Sequence, residues 1–424
     1  MRIHKSFIFT LGIFLLFYSY VFAPQYRFYV IINSGVFSVL IVILICAYRL
    51  QYITSKYFYY CSPFLFIGAY SEFIASLYGV ESNGLLGVMC KVCIYIIFGY
   101  FIAYLIGIKS DSVRGDFVLI IKMYVVAVFL NSIIILLEFI YDPIRVFIET
   151  KVLYQDYSLG GLNYLTHPFR FRGISSGGGA SLSVSHAFGL WFITALYYNK
   201  YLSMKKAIIG SFTIWASIVF LGRTGLIFGS IFLLLFIFRI IFISLRKGGL
   251  KKYLSIVIFS IVIFISTYSL ISHIRIHQSV IMEWAFSWSG EFGAAVSFNK
   301  LVGSLSFPTD LFHILFGIGY YYNSHYLCQP TDSGYLKTIF ATGLPLALLL
   351  YSFLLFIFYQ ITTSRYTKGF LVPFFLILFI FECKEPVFFQ NYLSRLFFFF
   401  VGYLLHVNHS YPKMLYSNKF LIIK

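Results

Sequence analysis

The chain has 424 residues, of which 60% are hydrophobic and only 11% carry a charged side chain. An ordinary soluble domain has about 25% charged residues, so this composition excludes one and indicates a polytopic membrane protein. The net charge of +18 does not indicate a nucleic-acid partner, because the basic residues lie in short segments between apolar runs, as in membrane proteins. We therefore expect the chain to contact a lipid bilayer and no nucleic acid.

Apolar runs of about twenty residues, the length of one membrane crossing, recur along the chain. They predict transmembrane helices at 7–23, 28–48, 57–78, 85–108, 117–140, 180–198, 207–221, 225–245, 253–271, 335–358, 370–381 and 391–406. We expect an all-α polytopic membrane protein with about twelve transmembrane helices. No linker divides the chain into soluble domains, so residues 1–424 are predicted to form one membrane domain.

The distribution of lysine and arginine predicts how these helices are oriented. If the N-terminus is cytoplasmic, eighteen of the 32 basic residues lie in the inner segments and nine in the outer segments, although the outer segments are longer. The positive-inside rule then places both termini in the cytoplasm. It also places the two long loops, residues 141–179 and 272–334, on the extracytoplasmic side.

Two arginines lie near the end of the first long loop. Arg170 and Arg172 are two residues apart, so on an extended strand their side chains share one face and could clamp one anionic group. Gly173 follows directly, and the glycines at 177–179 form either a flexible hinge or a place where the backbone approaches a ligand. His186, in the next predicted helix, is either a satisfied buried histidine or an acid–base group.

Further charged residues are predicted at the outer ends of helices. Arg223 lies in a short turn between two apolar runs, and because guanidinium keeps its charge it needs an anionic partner, water or a lipid headgroup. Glu72 and Lys91 lie near the outer ends of neighbouring helices and form either a structural ion pair or part of a functional site. Glu138 closes the fifth predicted helix, and Lys337 opens the tenth.

Several short motifs, together with the helix count and the two outer loops, resemble the O-antigen polymerase family, which is related to the O-antigen ligases. The motifs are the Arg-Gly pair at 172–173, the Gly-Arg-Thr-Gly turn at 222–225, the Leu-Phe-Gly-Ile-Gly and Thr-Asp-Ser-Gly-Tyr-Leu-Lys segments within 315–345, and the Glu-Cys-Lys segment at 382–384. The resemblance covers most of the chain from residue 117 onward.

The resemblance implies an inverting glycosyl transfer at the outer face of the bacterial cell membrane. Undecaprenyl-pyrophosphate-linked oligosaccharide repeat units would be joined into a surface polysaccharide, either an O-antigen of lipopolysaccharide or a capsule. The implied fold is similar to the C-type, lipid-dependent glycosyltransferases. Such a reaction requires no cofactor and no metal, and the chain has no Asp-x-Asp pair for a nucleotide-sugar metal. A chain-length regulator is a further partner to expect.

The implied reaction gives the candidate residues their roles. Fixed cations would hold the pyrophosphate and stabilise its charge as it leaves, and the candidates are Arg170, Arg172, Arg223, Lys337 and Lys384. His325 or Asp332 would activate the acceptor hydroxyl, although Asp332 could equally cap the helix that begins near residue 335. The supporting residues are Gly173, His186, Glu72 and Lys91.

Two other functions stay open. An O-antigen ligase has the same implied architecture and chemistry but a different acceptor, the lipid A core. A lipid-linked oligosaccharide flippase or a secondary transporter is the non-enzyme alternative. A flippase would have short loops and a charged central cavity, and a transporter would have helices broken by Gly or Pro near the midplane. The two long outer loops favour the polymerase.

Overall fold

The computed structural model describes residues 2–27, 31–46, 55–79, 84–107, 113–153, 170–246, 294–303, 305–321, 331–362, 365–389 and 391–410. Most of these residues are helical. The helices are α1 (Arg2–Phe22), α2 (Ser34–Cys46), α3 (Ser55–Leu77), α4 (Leu85–Gly107), α5 (Val113–Ile140), α6 (Asp142–Phe147), α7 (Ala180–Tyr198), α8 (Met204–Ile218), α9 (Arg223–Arg246), α10 (Ala294–Gly303), α11 (Leu311–Phe316), α12 (Gly334–Ile361), α13 (Arg365–Glu382) and α14 (Asn391–Ser410). Two strands, β1 (Gln25–Arg27) and β2 (Ile31–Asn33), and a π-helical turn, Ile148–Val152, complete the described elements.

Five of the described helices are long and apolar enough to cross a membrane, namely Leu85–Gly107, Gly115–Ile140, Ala180–Tyr198, Arg223–Phe242 and Gly334–Ile361. Shorter apolar helices occur at Ile8–Phe22, Ser34–Ile45 and Tyr392–Val407. The prediction of a mainly helical, membrane-embedded protein is therefore confirmed. The number of crossings and their orientation stay predictions, and the crossing predicted at 253–271 lies outside the described residues.

The second predicted helix, 28–48, begins later than expected. Strands β1 and β2 pair antiparallel with Tyr26 opposite Ile32, and α2 begins only at Ser34. The residues before α2 are aromatic and β-branched, which favours extended structure over helix. Asn33 then ends the strand, and its side-chain Oδ1 accepts a hydrogen bond from the Gly35 backbone N–H (3.0 Å).

The described chain folds as two compact units. The first comprises Met1–Leu16, Val36–Phe117 and Phe298–Lys424, and the second comprises Phe17–Gly35 and Val118–Ser297. Within the first unit, α4 packs along α14 and also contacts α3. Gly402 of α14 lies against the backbone carbonyl of Ile96, where a side chain would collide with it. Small residues allow membrane helices to approach this closely, so Gly402 fixes how α4 and α14 pair.

Helix α12, in the first unit, is broken at Gly343, whose φ of 78° and ψ of 161° are not helical. Residues 315–318 pack against this break. The Ile318 backbone N–H donates to the Phe340 carbonyl (2.7 Å), and the Leu315 carbonyl lies against Gly343. Backbone groups freed by a break in a membrane helix need partners within the protein. The Leu-Phe-Gly-Ile-Gly motif supplies such a partner.

Among the described helices of the second unit, α7 is the most buried. It packs against α8 and α9. Tyr124 of α5 donates a hydrogen bond to the Ser185 carbonyl of α7 (2.7 Å). The segment that leads into α7 also contacts α5, since the Gly173 backbone N–H donates to Glu138 Oε2 (3.2 Å). These contacts bring the end of α5 to the segment that enters α7, which is where the candidate site lies.

Candidate functional site

The beginnings of α7 and α9 lie against each other. The Gly225 backbone N–H donates to Ser183 Oγ (3.1 Å), and a Cβ on Gly225 would overlap the Ser183 backbone. A Cβ on Gly222 would lie 2.8 Å from the same Ser183 oxygen. Helix N-termini carry unsatisfied N–H groups and the positive end of the helix dipole. Two such ends therefore point into one region.

Arg170 and Arg223 lie in this region. Arg223 is the first residue of α9, and Arg170 Nη1 is 4.0 Å from the Cβ position of Gly179, the residue before α7. The two guanidinium groups are close enough for their charges to repel each other. Within the described residues, the buried Arg170 Nε has no hydrogen-bond partner. An anion between the two arginines would relieve the repulsion and accept this hydrogen bond.

Arg172 has different surroundings from Arg170, although the sequence predicted a shared face. Its Nε and Nη2 donate to Oε1 and Oε2 of Glu149 at 2.9 and 2.5 Å, and its Nη1 donates to the Ser176 carbonyl (3.3 Å). The side chains of Arg172 and Glu149 are 1% and 3% exposed. The two arginines are therefore not seen as one clamp, and the role of Arg172 as a pyrophosphate ligand stays a prediction.

Only glycine fits at position 173 without strain. Its φ is +57°, and the Asn131 amide occupies the place where a Cβ would lie. Asn131 in turn accepts a hydrogen bond from the Ile174 N–H (2.9 Å) and donates one to the Arg172 carbonyl (3.4 Å). The Arg-Gly pair is thus fixed to α5 through both of its residues.

His186 is fully buried, and both of its ring nitrogens are used. Nδ1 lies 2.9 Å from the Leu182 carbonyl, which can only accept, so Nδ1 carries the proton. Nε2 then accepts from Asn131 Nδ2 at 3.3 Å. This arrangement is that of the satisfied buried histidine, one of the two alternatives that the sequence left open.

Two guanidinium groups beside two helix N-termini are suited to a phosphate or pyrophosphate group, since both features favour multivalent oxyanions. No family model matches the chain, and neither a curated protein nor a solved structure matches it. The chemistry of the site is therefore inferred from its own residues. Among the described residues, no group of three or more His, Cys, Asp or Glu side chains comes together to hold a metal ion.

Sequence reasoning did not identify Glu149, Asn131 and Arg145 as parts of this region. Arg145 is buried, and its guanidinium lies 4.5 Å from the ring centroid of Phe171. The chain has only 14 acidic residues. A glutamate in a predicted outer loop next to a helix end is therefore uncommon, and this could have marked Glu149 as a candidate. Nothing in the local sequence shows that Glu149 would reach Arg172.

The first unit contains Asp332, Lys337 and Lys384. Asp332 is exposed, and Ser333 rather than Asp332 occupies the N-cap position of α12, so the predicted capping role of Asp332 is wrong. Lys337 is half-buried on the first turns of α12, where its charge acts on Glu382. Lys384 is half-buried in the turn after α13.

Glu382 ends α13 and is fully buried. It accepts hydrogen bonds from the Tyr351 hydroxyl (2.8 Å) and the Phe388 backbone N–H (3.0 Å). Burial raises the pKa of this carboxyl to about 8, against the smaller opposing effect of its hydrogen bonds and of Lys337. Its side chain also lies where a Cβ of Gly334 would be. Glu382 thus ties the beginning of α12 to the turn that contains Lys384.

The remaining predicted site residues are Glu72, Lys91 and His325. Glu72 is half-buried on α3 and Lys91 is exposed on α4, two helices that pack together in the first unit. Their joint role stays a prediction. His325 lies outside the described residues, as do residues 154–169 of the first long loop and 272–293 of the second.

Proposed function

We propose that the protein is a glycosyltransferase that polymerises undecaprenyl-pyrophosphate-linked oligosaccharide repeat units into a surface polysaccharide. The observation that carries the proposal is the pairing of Arg170 with Arg223 at the adjoining beginnings of α7 and α9. In a membrane-embedded protein, a site for a diphosphate beside apolar helices suits a lipid-linked pyrophosphate. Guanidinium groups in such a place are costly unless an anion compensates their charge.

The proposed reaction needs little beyond positioning and fixed charge. The acceptor hydroxyl oxygen attacks the anomeric carbon of the donor glycan, and the bond from that carbon to the phosphate oxygen breaks. Undecaprenyl pyrophosphate leaves with the electron pair of that bond, and its developing charge is stabilised by Arg170 and Arg223. The hydroxyl proton passes to a base, for which His325 and Asp332 are the candidates.

The proposal includes the membrane arrangement inferred from the sequence. About twelve crossings, a fold resembling the C-type glycosyltransferases and cytoplasmic termini would place residues 141–179 and 272–334 outside the cytoplasm of a bacterial cell. In support, the beginnings of α7 and α9 lie together, as expected if 180–198 and 225–245 cross in the same direction. The arginine pair would then face the side on which lipid-linked repeat units are joined.

The alternatives are an O-antigen ligase and a flippase or secondary transporter. A ligase would use the same pyrophosphate site, so only the acceptor separates it from a polymerase. A transporter would use a broken helix to bind its substrate or ion. The break at Gly343 is instead packed by residues 315–318, which gives a transporter no support.

Deleting the gene and separating the surface polysaccharide on a gel tests the proposal. A polymerase predicts loss of the ladder with one repeat unit retained on the lipid or the core. Complete absence of the glycan would indicate a flippase or a ligase, and an unchanged ladder would overturn the proposal. Restoration of the ladder by the wild-type gene is the control.

A further inference from the structure

We propose that Arg172 and Glu149 are positioning residues, a buried pair that holds Arg170 in place for anion binding. The pair itself does not touch the anion. The identity of the anion as a pyrophosphate rests on the function proposed above, whereas the positioning role rests on the contacts of the pair. Neither a positioning role for Arg172 nor any role for Glu149 follows from the sequence motifs.

The first step of the argument is the geometry of the pair. Glu149 lies in the π-helical turn after α6, and its two oxygens accept both hydrogen bonds that one edge of the Arg172 guanidinium can donate. The remaining Nη1 donates to the Ser176 carbonyl, four residues along the same segment. All three guanidinium nitrogens are therefore used inside the protein, and a side chain 1% exposed has no face left for a ligand.

The second step is what the pair holds. Residues 171–176, here called the strap, are tied to four other parts of the second unit. Hydrogen bonds join Phe171 N to the Phe220 carbonyl (3.2 Å), Gly173 N to Glu138 (3.2 Å), Ile174 N to Asn131 (2.9 Å) and Ser176 N to the Phe22 carbonyl (3.0 Å). The salt bridge from Arg172 to Glu149 adds a buried ion pair to these backbone ties. Arg170 directly precedes the strap. When the strap is held in place, the backbone and the side-chain direction of Arg170 are held with it.

The third step concerns charge. Two buried arginines, Arg145 and Arg172, lie among two buried glutamates, Glu138 and Glu149. Each arginine therefore has acidic side chains next to it inside the protein, and Arg172 is paired directly with Glu149. Arg170 and Arg223 lie beside the helix N-termini instead. The structure thus separates a buried framework, in which arginines are matched by acidic side chains, from a positive, partly exposed site.

The energetics of buried ion pairs provide the test. Removing one partner leaves an uncompensated charge in a low-dielectric interior, whereas replacing both partners with apolar side chains of similar size is often tolerated. If the pair only positions the strap, the double replacement recovers what each single replacement loses. If Arg172 holds the anion, the double replacement recovers nothing.

The experiment measures binding of inorganic pyrophosphate to the purified full-length protein in lipid nanodiscs by titration calorimetry. Glu149→Leu and Arg172→Met are each expected to weaken binding by at least about tenfold. The double variant is expected to return to within about threefold of the wild type. Arg170→Ala is expected to abolish binding in both the wild-type and the double-variant background. A double variant that binds as weakly as Arg172→Met, or a single variant that binds normally, overturns the proposal.

Hydrogen exchange gives a second measurement. It does not require that the protein binds pyrophosphate or that the double variant folds. In the isosteric variant Glu149→Gln, the amides of the strap are expected to exchange faster than in the wild type, while those of α8 are unchanged. Unchanged exchange in the strap overturns the positioning role. If wild-type protein fails to bind pyrophosphate, the proposed function fails, and the exchange experiment still decides the role of the pair.

Discussion

Ser183 Oγ accepts a hydrogen bond from the backbone N–H of Gly225, and this contact joins the first turn of α7 to the first turn of α9. The Gly225 backbone lies so close to Ser183 that no side chain fits between them. The distance between the two helix N-termini is therefore set by the absence of a Cβ at one position.

The first prediction follows from this contact. Gly225→Ala should push the beginning of α9 away from α7 and lower the unfolding temperature. Under the proposed function, it should also strongly reduce polysaccharide polymerisation. The matched control is Gly87→Ala, because nothing lies within 4 Å of the Cβ position of Gly87. Polysaccharide ladders and thermal unfolding of both variants check it, and equal behaviour of the two would contradict the role given to the contact.

The second prediction concerns the arginine pair. Under the proposed function, Arg170→Ala and Arg223→Ala should each leave cells with one repeat unit on the lipid or core, since the leaving pyrophosphate would lose a charge-assisted contact. Lysine at either position should retain part of the activity, because it keeps the charge but not the bidentate geometry. Lys205→Ala, an exposed change on the first turn of α8, is the control. Normal chain lengths in both alanine variants would refute the site.

The third prediction is a pH dependence of stability caused by Glu382. Its pKa is about 8 in the folded protein against an ordinary value of 4.5, so the folded state binds the proton more tightly than the unfolded state. The stabilisation is complete below pH 4.5 and is lost as pH rises through about 8. The unfolding temperature of the wild type should fall across this range relative to Glu382→Gln, whose amide is neutral throughout. Parallel curves for the two proteins would show that Glu382 does not titrate in this way.

The fourth prediction tests the membrane orientation. In a variant without native cysteines, an impermeant thiol reagent should label Ser304→Cys in intact spheroplasts, since residues 272–334 are predicted to face outward. Ser203→Cys, on the short segment before α8, should be labelled only after the membrane is opened. The reverse pattern would overturn the predicted topology.

The extent to which the sequence predicts this fold differs between elements. The helix predicted at 180–198 agrees with α7 at both ends, because an apolar run bounded by glycines on one side and polar residues on the other marks both ends. The helix predicted at 28–48 was wrong at residues 31–33, which form strand β2. Hydrophobicity shows which residues avoid water, but it does not separate a strand from a helix when the residues are aromatic or β-branched.

The candidate site was predicted in part. The Arg-Gly pair and the Gly-Arg-Thr-Gly turn were identified from the sequence, and the structure brings Arg170 and Arg223 near each other. The sequence did not distinguish Arg170 from Arg172, because alternation along a strand describes only local geometry. Their different environments depend on Glu149, which is 23 residues away from Arg172 in the chain. Such contacts arise from tertiary packing and leave no local pattern.

The break in α12 has a mechanical consequence. The piece before Gly343 is held by contacts of its own, since the Tyr335 hydroxyl donates to the Phe379 carbonyl (2.8 Å) and Thr338 Oγ1 lies 3.1 Å from the Tyr351 hydroxyl. Because residues 315–318 fill the break, the two pieces form a braced bend. The first piece, which bears Lys337, therefore takes a direction that a straight helix could not give it.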